Sequence, residues 1–237
     1  MGYGFYRDDI ELPHKPLPLA VFLIVEEAIR VSWQRLGEKT ILDFDIGSAE
    51  EDSVTLELYR VFYDEVFDKG MVGGFDDERF TVGTRESKLP NYDGSKPDLM
   101  PDLLVAIKGR RDVSLRTQDW LFIECKPVDA KHTVGVHYGA KGIARFIRGD
   151  YAWAMTSALM VGYASNGYRI TPKLIETLGV RADEFKVKRL PTPCHLSPCT
   201  SGAEKVHITQ HARVFDYAEN AQPAPQIKLR HLWLSRN

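Results

Sequence analysis

Two short apolar runs, Leu103–Ile107 and Trp120–Cys125, constrain the fold of this chain more than any other feature of its sequence. The segment 108–119 that separates them is polar and contains Gly109. Short apolar runs joined by a polar, glycine-containing connection are typical of neighbouring strands in a hairpin. The sequence therefore predicts a pair of antiparallel strands near the middle of the chain.

The remaining hydrophobic pattern places helices before and after this pair. The second predicted helix has Ser48 as its N-cap and acidic residues in its first turn. Helices are predicted over Leu19–Leu36, Ser48–Lys69, Tyr138–Arg148, Asp150–Ala164 and Pro172–Leu178. Further strands are predicted over Thr40–Ile46, Arg79–Thr84, Val206–Tyr217 and Ile227–Leu234. This order of elements predicts an α/β protein whose mixed sheet is flanked by helices.

Composition narrows the class of protein. A chain of 237 residues with 43% apolar and 27% charged side chains suits one enlarged globular domain, and it excludes a disordered or collagen-like chain. The sequence predicts neither a membrane span nor a signal peptide. Three cysteines do not form a disulfide framework for a chain of this length, so we expect a reducing, cytoplasmic environment.

Charge is distributed unevenly along the chain although the net charge is only −2. Residues 1–80 carry 18 acidic and 8 basic side chains, whereas residues 81–237 carry 15 acidic and 23 basic side chains. A basic region of this kind could present a face that binds anions, or it could simply be better solvated. Charge alone leaves both interpretations open.

Asp102, Glu124 and Lys126 are the residues that point to chemistry. Asp102 begins the first strand of the predicted hairpin, and Glu124 and Lys126 lie at the end of the second. Neighbouring strands are about 4.8 Å apart, so Asp102 and Glu124 can face each other. Alternation places Glu124 and Lys126 roughly 6.6 Å apart on one face and turns Cys125 away. Two carboxylates suit Mg²⁺ or Mn²⁺, and a lysine beside them can orient water, although an exposed ion pair is the simpler alternative.

The arrangement Pro101-Asp102, followed about twenty residues later by Glu124-Cys125-Lys126, resembles the signature of the PD-(D/E)XK nuclease superfamily. The acidic helix predicted before the pair and the segment 142–163 after it also resemble that superfamily. The resemblance implies a restriction-endonuclease-like fold, which has three α/β/α layers around a central mixed sheet.

The resemblance also suggests how the chain is organised. It covers about residues 40–165, which would form the core of a single nuclease-like domain spanning residues 1–237. Residues 1–39 would then be an N-terminal arm and helix. Residues 166–237 would be a strand-rich C-terminal extension of the same domain.

Individual residues take roles from the same resemblance. Asp102, Glu124 and the backbone carbonyl of Cys125 are implied as ligands of Mg²⁺ or Mn²⁺. Lys126 is implied as the catalytic lysine, which acts on the water molecule that attacks a phosphodiester.

Members of the superfamily commonly use a further glutamate from the first core helix. Glu51 and Glu65 both project into the apolar stripe of the helix predicted over 48–69. Each could instead be paired with a nearby basic side chain. The start of the stripe favours Glu51 for the site.

Four basic residues follow the predicted site without an acidic residue among them: Lys131, Lys141, Arg145 and Arg148. Such side chains can hold the phosphates of a nucleic acid without reading its sequence, or they can form a solvated helix face. Of these four residues, Arg145 is the one that we most expect to contact the substrate. DNA is the expected partner, and RNA is the alternative.

The sequence therefore predicts a Mg²⁺-dependent DNA endonuclease, which analogy would place in restriction or anti-phage defence. A nuclease-like fold that only binds or assembles is the alternative from another class, and an RNA-cleaving enzyme is a third. A homodimer, or a partner protein that supplies recognition, remains open.

One further pattern resembles a zinc site: Cys194, Cys199, His207 and His211. The two histidines lie in a predicted strand, where positions four apart are separated by about 13 Å. We therefore expect a surface loop in this region instead of a metal site.

Overall fold

A computed structural model describes residues 11–39, 44–85, 87–111, 113–165, 167–197, 204–218 and 220–236. Its α-helices are α1 (Leu19–Glu38), α2 (Glu51–Arg60), α3 (Ala144–Ile147) and α4 (Ile175–Val180). π-Helical segments are Val61–Phe67, Val134–Ile143 and Ile170–Leu174, and a 3₁₀ turn is Arg116–Gln118. The strands are β1 (Phe80–Val82), β2 (Leu103–Ile107), β3 (Leu121–Val128), β4 (Ser157–Ala164), β5 (Val187–Pro193), β6 (His207–His211) and β7 (Ile227–Ser235). The second π-helical segment runs into α3, and together they are called the 134–147 helix.

Within the described ranges the seven strands form one mixed sheet in the order β1-β2-β3-β4-β7-β6-β5. Strands β3, β4 and β7 are parallel to one another, and all other neighbouring strands are antiparallel. Strands β3 and β4 are buried along their whole length. The protein is therefore of the α/β class with a mixed sheet, as the order of elements predicts.

Helices cover both faces of this sheet. On one face, Tyr163 of β4 lies 3.2 Å from the hydroxyl of Thr55 in α2 and stacks on Trp33 of α1. Met160 is three positions earlier on the same strand and therefore points to the other face. There the 134–147 helix lies close to it, since a Cβ atom at Gly142 would be only 2.7 Å from Met160 Cε.

The helix predicted over Asp150–Ala164 is wrong. The chain there is irregular as far as residue 156 and then forms β4. A parallel strand that is buried on both faces is apolar at every position, so its sequence has no period that separates it from a buried helix. The preceding helix ends at Ile147, and Gly149, which has a φ of 73°, lies two residues beyond that end.

Of two other predictions, the N-cap is wrong, and the strand falls mostly on residues that the structure does not describe. Ser48 is not an N-cap: its hydroxyl donates a 2.7 Å hydrogen bond to Asp45, and α2 begins only at Glu51. A serine hydroxyl can bond to a nearby group in a turn instead of capping a helix, and Ser48 does so in the turn before α2. Most of the strand predicted over Thr40–Ile46 falls on residues 40–43, which lie outside the described residues.

Most of the other predicted elements are confirmed. The predicted first helix corresponds to α1, and the hairpin strands correspond to β2 and β3. Strand β5 was not predicted, and β6 is shorter than the strand expected there. Among the described residues, no helix is both long and apolar enough to cross a membrane.

Candidate active site

The β2–β3 hairpin places the predicted acidic pair side by side. Asp102 directly precedes β2, and the register pairs Leu103 with Ile123, so Asp102 lies opposite Glu124. The backbone N–H of Cys125 donates a 2.7 Å hydrogen bond to Oδ2 of Asp102, which holds this carboxylate at the end of the ladder. The N–H and C=O groups of a strand residue face the same neighbouring strand, so the carbonyl of Cys125 also faces Asp102.

Lys126 lies at the centre of the cluster. Its Nζ atom is 2.6 Å from Glu51 Oε1, 3.0 Å from Glu124 Oε1 and 3.9 Å from Asp102 Oδ2. Burial by itself lowers the pKa of Lys126, but the attraction of the three carboxylates outweighs burial and raises that pKa above its usual value. Lys126 is therefore an ammonium group at neutral pH, able to donate hydrogen bonds and unable to accept a proton.

Glu124 is a buried carboxylate without a good hydrogen-bond donor. Its side chain is 1% exposed, and neither oxygen accepts a hydrogen bond of good geometry within the described residues. Burial, followed by repulsion from Asp102, raises the pKa of Glu124 to about 8. Lys126 and Arg145 offset its charge only in part, so Glu124 could accept a further cation or a proton.

The carboxylates of Asp102 and Glu124 are the groups of the cluster that could hold a metal ion. Burial also raises the pKa of Asp102, and the charge of Lys126 and the hydrogen bond from Cys125 only partly oppose this shift. In the part of the chain that the structure describes, no three Asp, Glu, His or Cys side chains are close enough to enclose an ion by themselves. Mg²⁺ keeps several waters and commonly uses only one or two carboxylates, so Asp102, Glu124 and the carbonyl of Cys125 suit it.

Arg145 brings a second cation to the cluster. Its Nη1 atom is 3.5 Å from Glu124 Oε1, and it donates a hydrogen bond to the hydroxyl of Tyr151. That hydroxyl donates in turn to the backbone carbonyl of Met100, 2.8 Å away. The side chain of Arg145 is 34% exposed, so it touches a buried carboxylate and still faces solvent.

The other three basic residues of the predicted phosphate surface lie outside the cluster. Lys131 and Lys141 are exposed, and Arg148 pairs with Asp150 at 3.1 Å. Lys141 and Arg145 are four positions apart on the 134–147 helix and thus share about the same face. That face places positive charge beside the carboxylate cluster and toward solvent.

The structure places Glu51, and not Glu65, in contact with Lys126. Glu65 instead accepts hydrogen bonds from Arg35, at 3.0 Å, and from Lys39. These two partners hold the pKa of Glu65 below its usual value. Glu51 lies in the first turn of α2, so the start of that helix points at the hairpin.

Sequence reasoning missed two groups close to the cluster. Tyr151 was assigned to a helix that does not form, so its contact with Arg145 was not expected. Asp129 accepts hydrogen bonds from the backbone N–H of His132, at 2.7 Å, and from its ring. The ring of His132 meets that of His137 edge to face, 4.9 Å between centroids. Aspartate three residues before histidine is a local turn signal that could have indicated this pair.

Cys194 and His211, two described residues of the zinc-like pattern, form hydrogen bonds with other protein groups. Cys199 lies outside the described residues, and Cys194 Sγ accepts a hydrogen bond from Arg230 at 3.4 Å. Both ring nitrogens of His211 are hydrogen bonded at 2.7 Å, one to a backbone carbonyl and one to Thr209. His211 therefore has no nitrogen left for a metal ion.

No protein-family model matches the chain, and neither a curated protein nor a solved structure is significantly similar to it. The fold and the cluster are the features that characterise the protein. Together they define an α/β protein with a mixed sheet and with three carboxylates gathered around one lysine at the end of a hairpin.

Proposed function

We propose that this chain is a Mg²⁺- or Mn²⁺-dependent nuclease of the PD-(D/E)XK type, with a restriction-endonuclease-like fold, and that it cleaves DNA. The supporting observation is the convergence of Asp102, Glu124 and Lys126 at the ends of neighbouring strands, with all three carboxylates of the cluster within 3.9 Å of Lys126 Nζ. The buried oxygens of Glu124, which lack donors of good geometry, further support a cation at this position.

The residues around the ion would divide the work of phosphodiester hydrolysis. Bound beside Asp102 and Glu124, the ion would lower the pKa of a water molecule and neutralise charge on a phosphoryl oxygen. Lys126 would donate hydrogen bonds to the attacking water or to the phosphoryl oxygen, because its raised pKa prevents it from acting as a base. Glu51 accepts a hydrogen bond from Lys126 and so holds Nζ in position.

The basic face of the 134–147 helix would hold the substrate. Arg145 contacts Glu124 and solvent, so its guanidinium group can reach a phosphate bound at the ion. Lys141 and Lys131 would contact neighbouring phosphates. Such contacts position a nucleic acid without reading its bases, so cleavage by these residues alone would show little sequence preference.

Cleavage assays test this function. Supercoiled plasmid, linear duplex DNA and RNA of the same sequence are incubated with the protein in Mg²⁺, Mn²⁺ or EDTA. We expect cleavage of DNA that EDTA abolishes and that Asp102→Asn, Glu124→Gln and Lys126→Ala each reduce by at least about 100-fold. Glu65→Gln is the matched control, since it removes an acidic residue whose ion pairs lie away from the cluster. Cleavage that survives Asp102→Asn, or no cleavage of any nucleic acid, would refute the proposal, and cleavage of RNA alone would correct the substrate.

A second candidate is a catalytically silent nuclease-like module. The observation that favours it is that Lys126 already compensates the carboxylates, so the cluster can exist as a structural ion network. Calorimetry with Mn²⁺ separates the two functions. A nuclease should bind Mn²⁺ in wild type and lose this binding in Glu124→Gln, whereas a silent module should show no binding that depends on Glu124.

A further inference from the structure

A cavity of about 370 Å³ lies apart from the carboxylate cluster. It is formed at the carboxyl ends of β4 and β7, against one face of α1 and the segment that follows β4. None of the residues of the cluster lines it. Its volume falls within the range of pockets that hold small ligands, roughly 300 to 1,000 Å³, and it would accommodate one nucleotide.

Trp33 gives this cavity a fixed aromatic surface. One face of its indole stacks on Tyr163, with ring centroids 5.2 Å apart and planes 10° apart. Its Nε1 atom donates a 2.7 Å hydrogen bond to the carbonyl of Ser235. Trp33 lines the cavity and Tyr163 does not, so the face of the indole that Tyr163 leaves uncovered is the one available to a ligand. An indole held in this way can stack on a planar ring without losing further conformational freedom.

Glu27 supplies an acceptor on the same helix. Its Oε2 atom is buried and accepts no hydrogen bond in the described part of the chain. A buried acceptor without a donor is unfavourable, and a ligand N–H group would satisfy it. Glu27 precedes Trp33 by six positions, roughly 9 Å along the axis of α1, so one ligand can reach both side chains.

Arg169 adds positive charge to the lining of the cavity. It is exposed, and within the described ranges its side chain forms no ion pair or hydrogen bond. Next to Arg169 in the sequence, Tyr168 forms a cation–π contact with Lys173, whose Nζ atom lies 5.3 Å from the centroid of the tyrosine ring. An exposed guanidinium group next to an aromatic cavity suits the phosphate of a ligand whose ring lies inside.

We propose that this cavity binds a nucleotide whose base carries an exocyclic amino group. The base stacks on Trp33, its amine donates to Glu27, and its phosphate meets Arg169. Free nucleotides and the nucleotide units of a nucleic acid share this chemistry. The site stands independently of the nuclease proposal, since it shares no residue with the carboxylate cluster.

Three related ligands test the role of each group. AMP carries base, amine and phosphate, purine riboside 5′-monophosphate lacks the amine, and ribose 5-phosphate lacks the base. We expect calorimetry in metal-free buffer to show that AMP binds about tenfold tighter than the ligand without the amine, and that ribose 5-phosphate binds weakest. Equal affinity for AMP and purine riboside 5′-monophosphate, or no binding of AMP, would overturn the proposal.

Variants assign the contacts. Glu27→Ala should weaken AMP about tenfold and leave purine riboside 5′-monophosphate unchanged, and Arg169→Ala should weaken both ligands equally. Trp33→Phe should reduce the quenching of tryptophan fluorescence by AMP to the part that comes from Trp233, which also lines the cavity, whereas the control Trp120→Phe should retain all of it. If Glu27→Ala weakens both ligands by the same factor, the amine contact is refuted.

Competition identifies the source of the nucleotide. A single-stranded oligo(dA) that displaces AMP from the wild-type protein, but binds poorly to Glu27→Ala, indicates a nucleotide unit of a strand. An oligonucleotide that does not displace AMP indicates a free nucleotide. Displacement that is unaffected by Glu27→Ala would argue against the site.

Discussion

The ammonium group of Lys126 lies between three carboxylates, and its removal would leave them facing one another. When ionised, Asp102, Glu124 and Glu51 carry three negative charges against two positive charges from Lys126 and Arg145. Removing one partner of a buried ion pair costs much more than removing both, since the partner that remains is an uncompensated buried charge.

Replacement of Lys126 should therefore show strong coupling to Glu124. We expect Lys126→Met to lower the free energy of unfolding by about 3 kcal/mol in metal-free buffer. At a pH above the raised pKa of Glu124, Lys126→Met combined with Glu124→Gln should be more stable than Lys126→Met alone, because the deepest carboxylate can then no longer ionise. Urea unfolding of the two single variants and the double variant measures the coupling, and strictly additive losses would contradict it.

At the scale of elements, the close approach of the 134–147 helix to the sheet depends on Gly142. A Cβ atom at Gly142 would lie 2.7 Å from Met160 Cε and 3.5 Å from Lys126 Cγ. The first neighbour is the end of a flexible side chain and can move a little. A larger side chain would push the helix outward and carry Arg145 away from Glu124.

We therefore expect Gly142→Val to reduce the proposed nuclease activity at least about tenfold while the protein remains folded. The physical reason is displacement of Arg145, which is three positions further along the helix. Cleavage rates and thermal melts are compared with Gly37→Ala, at which a Cβ atom meets nothing within 4 Å. Unchanged cleavage in a folded Gly142→Val variant would show that the approach of the helix does not matter.

A buried chain of hydrogen bonds connects the same helix to β6 and β7. His211 Nδ1 must donate to the carbonyl of Phe185, so its Nε2 accepts from Thr209. The hydroxyl of Thr209 then accepts from Nε2 of His231, and Nδ1 of His231 accepts from Tyr138. Both imidazoles are consequently neutral with a defined tautomer, which agrees with burial lowering the pKa of each.

The buried imidazoles of this hydrogen-bond network make the protein less stable as the pH is lowered. Burial lowers the pKa of His211 to about 4, from 6.5. Between these values the unfolded chain binds more protons than the folded protein, so this contribution to stability is complete above pH 6.5 and is lost as pH falls toward 4. The loss from His211 alone is about 3 kcal/mol.

Urea unfolding from pH 7 to pH 4 measures this dependence. We expect His211→Gln to be less stable at neutral pH but to lose less stability on acidification than the wild type. His195→Gln is the control, because His195 is exposed and should leave the slope unchanged. Equal slopes in wild type and His211→Gln would contradict the assignment of a neutral, buried imidazole.

At the scale of the whole molecule, the last strand lies inside the sheet. Strand β7 is inserted between β4 and β6, and it is parallel to β4 over Ser157–Ala164. A buried ion pair between Glu26 and Arg230 also joins α1 to β7, with 3.1 Å between Glu26 Oε2 and Arg230 Nη2. Strand β4, which pairs with the hairpin through β3, is thus covered on its other edge by a strand from the far end of the described chain.

A chain that ends at residue 165 should therefore not fold by itself. Its β4 would be an exposed edge of apolar side chains, and Glu26 would be a buried charge without its partner. We expect low solubility and no cooperative thermal transition for this fragment, measured by circular dichroism beside the full chain. A sharp transition in the fragment would show that residues 166–237 are dispensable for the fold.

Local patterns in the sequence determined the hairpin and the residues at its end. Strand alternation places Glu124 and Lys126 on one face, and the pairing of β2 with β3 places Asp102 beside them. These relationships depend on spacing over a few residues, so they could be predicted without knowledge of the rest of the chain. The start of α2 and the contact of Arg145 with Glu124 depend on how the helices pack against the sheet. The spacing of residues along the chain therefore predicts these two features only in part.

Only the tertiary structure decided the conformation of the segment after Gly149. Residues 150–156 are irregular because Arg213, from far along the chain, donates to the carbonyls of Ala152, Trp153 and Met155. Strand β4 forms because β3 and β7 pair with its two edges. An apolar segment is compatible with either a helix or a buried strand. Its conformation is therefore decided by the distant groups that form hydrogen bonds with its backbone.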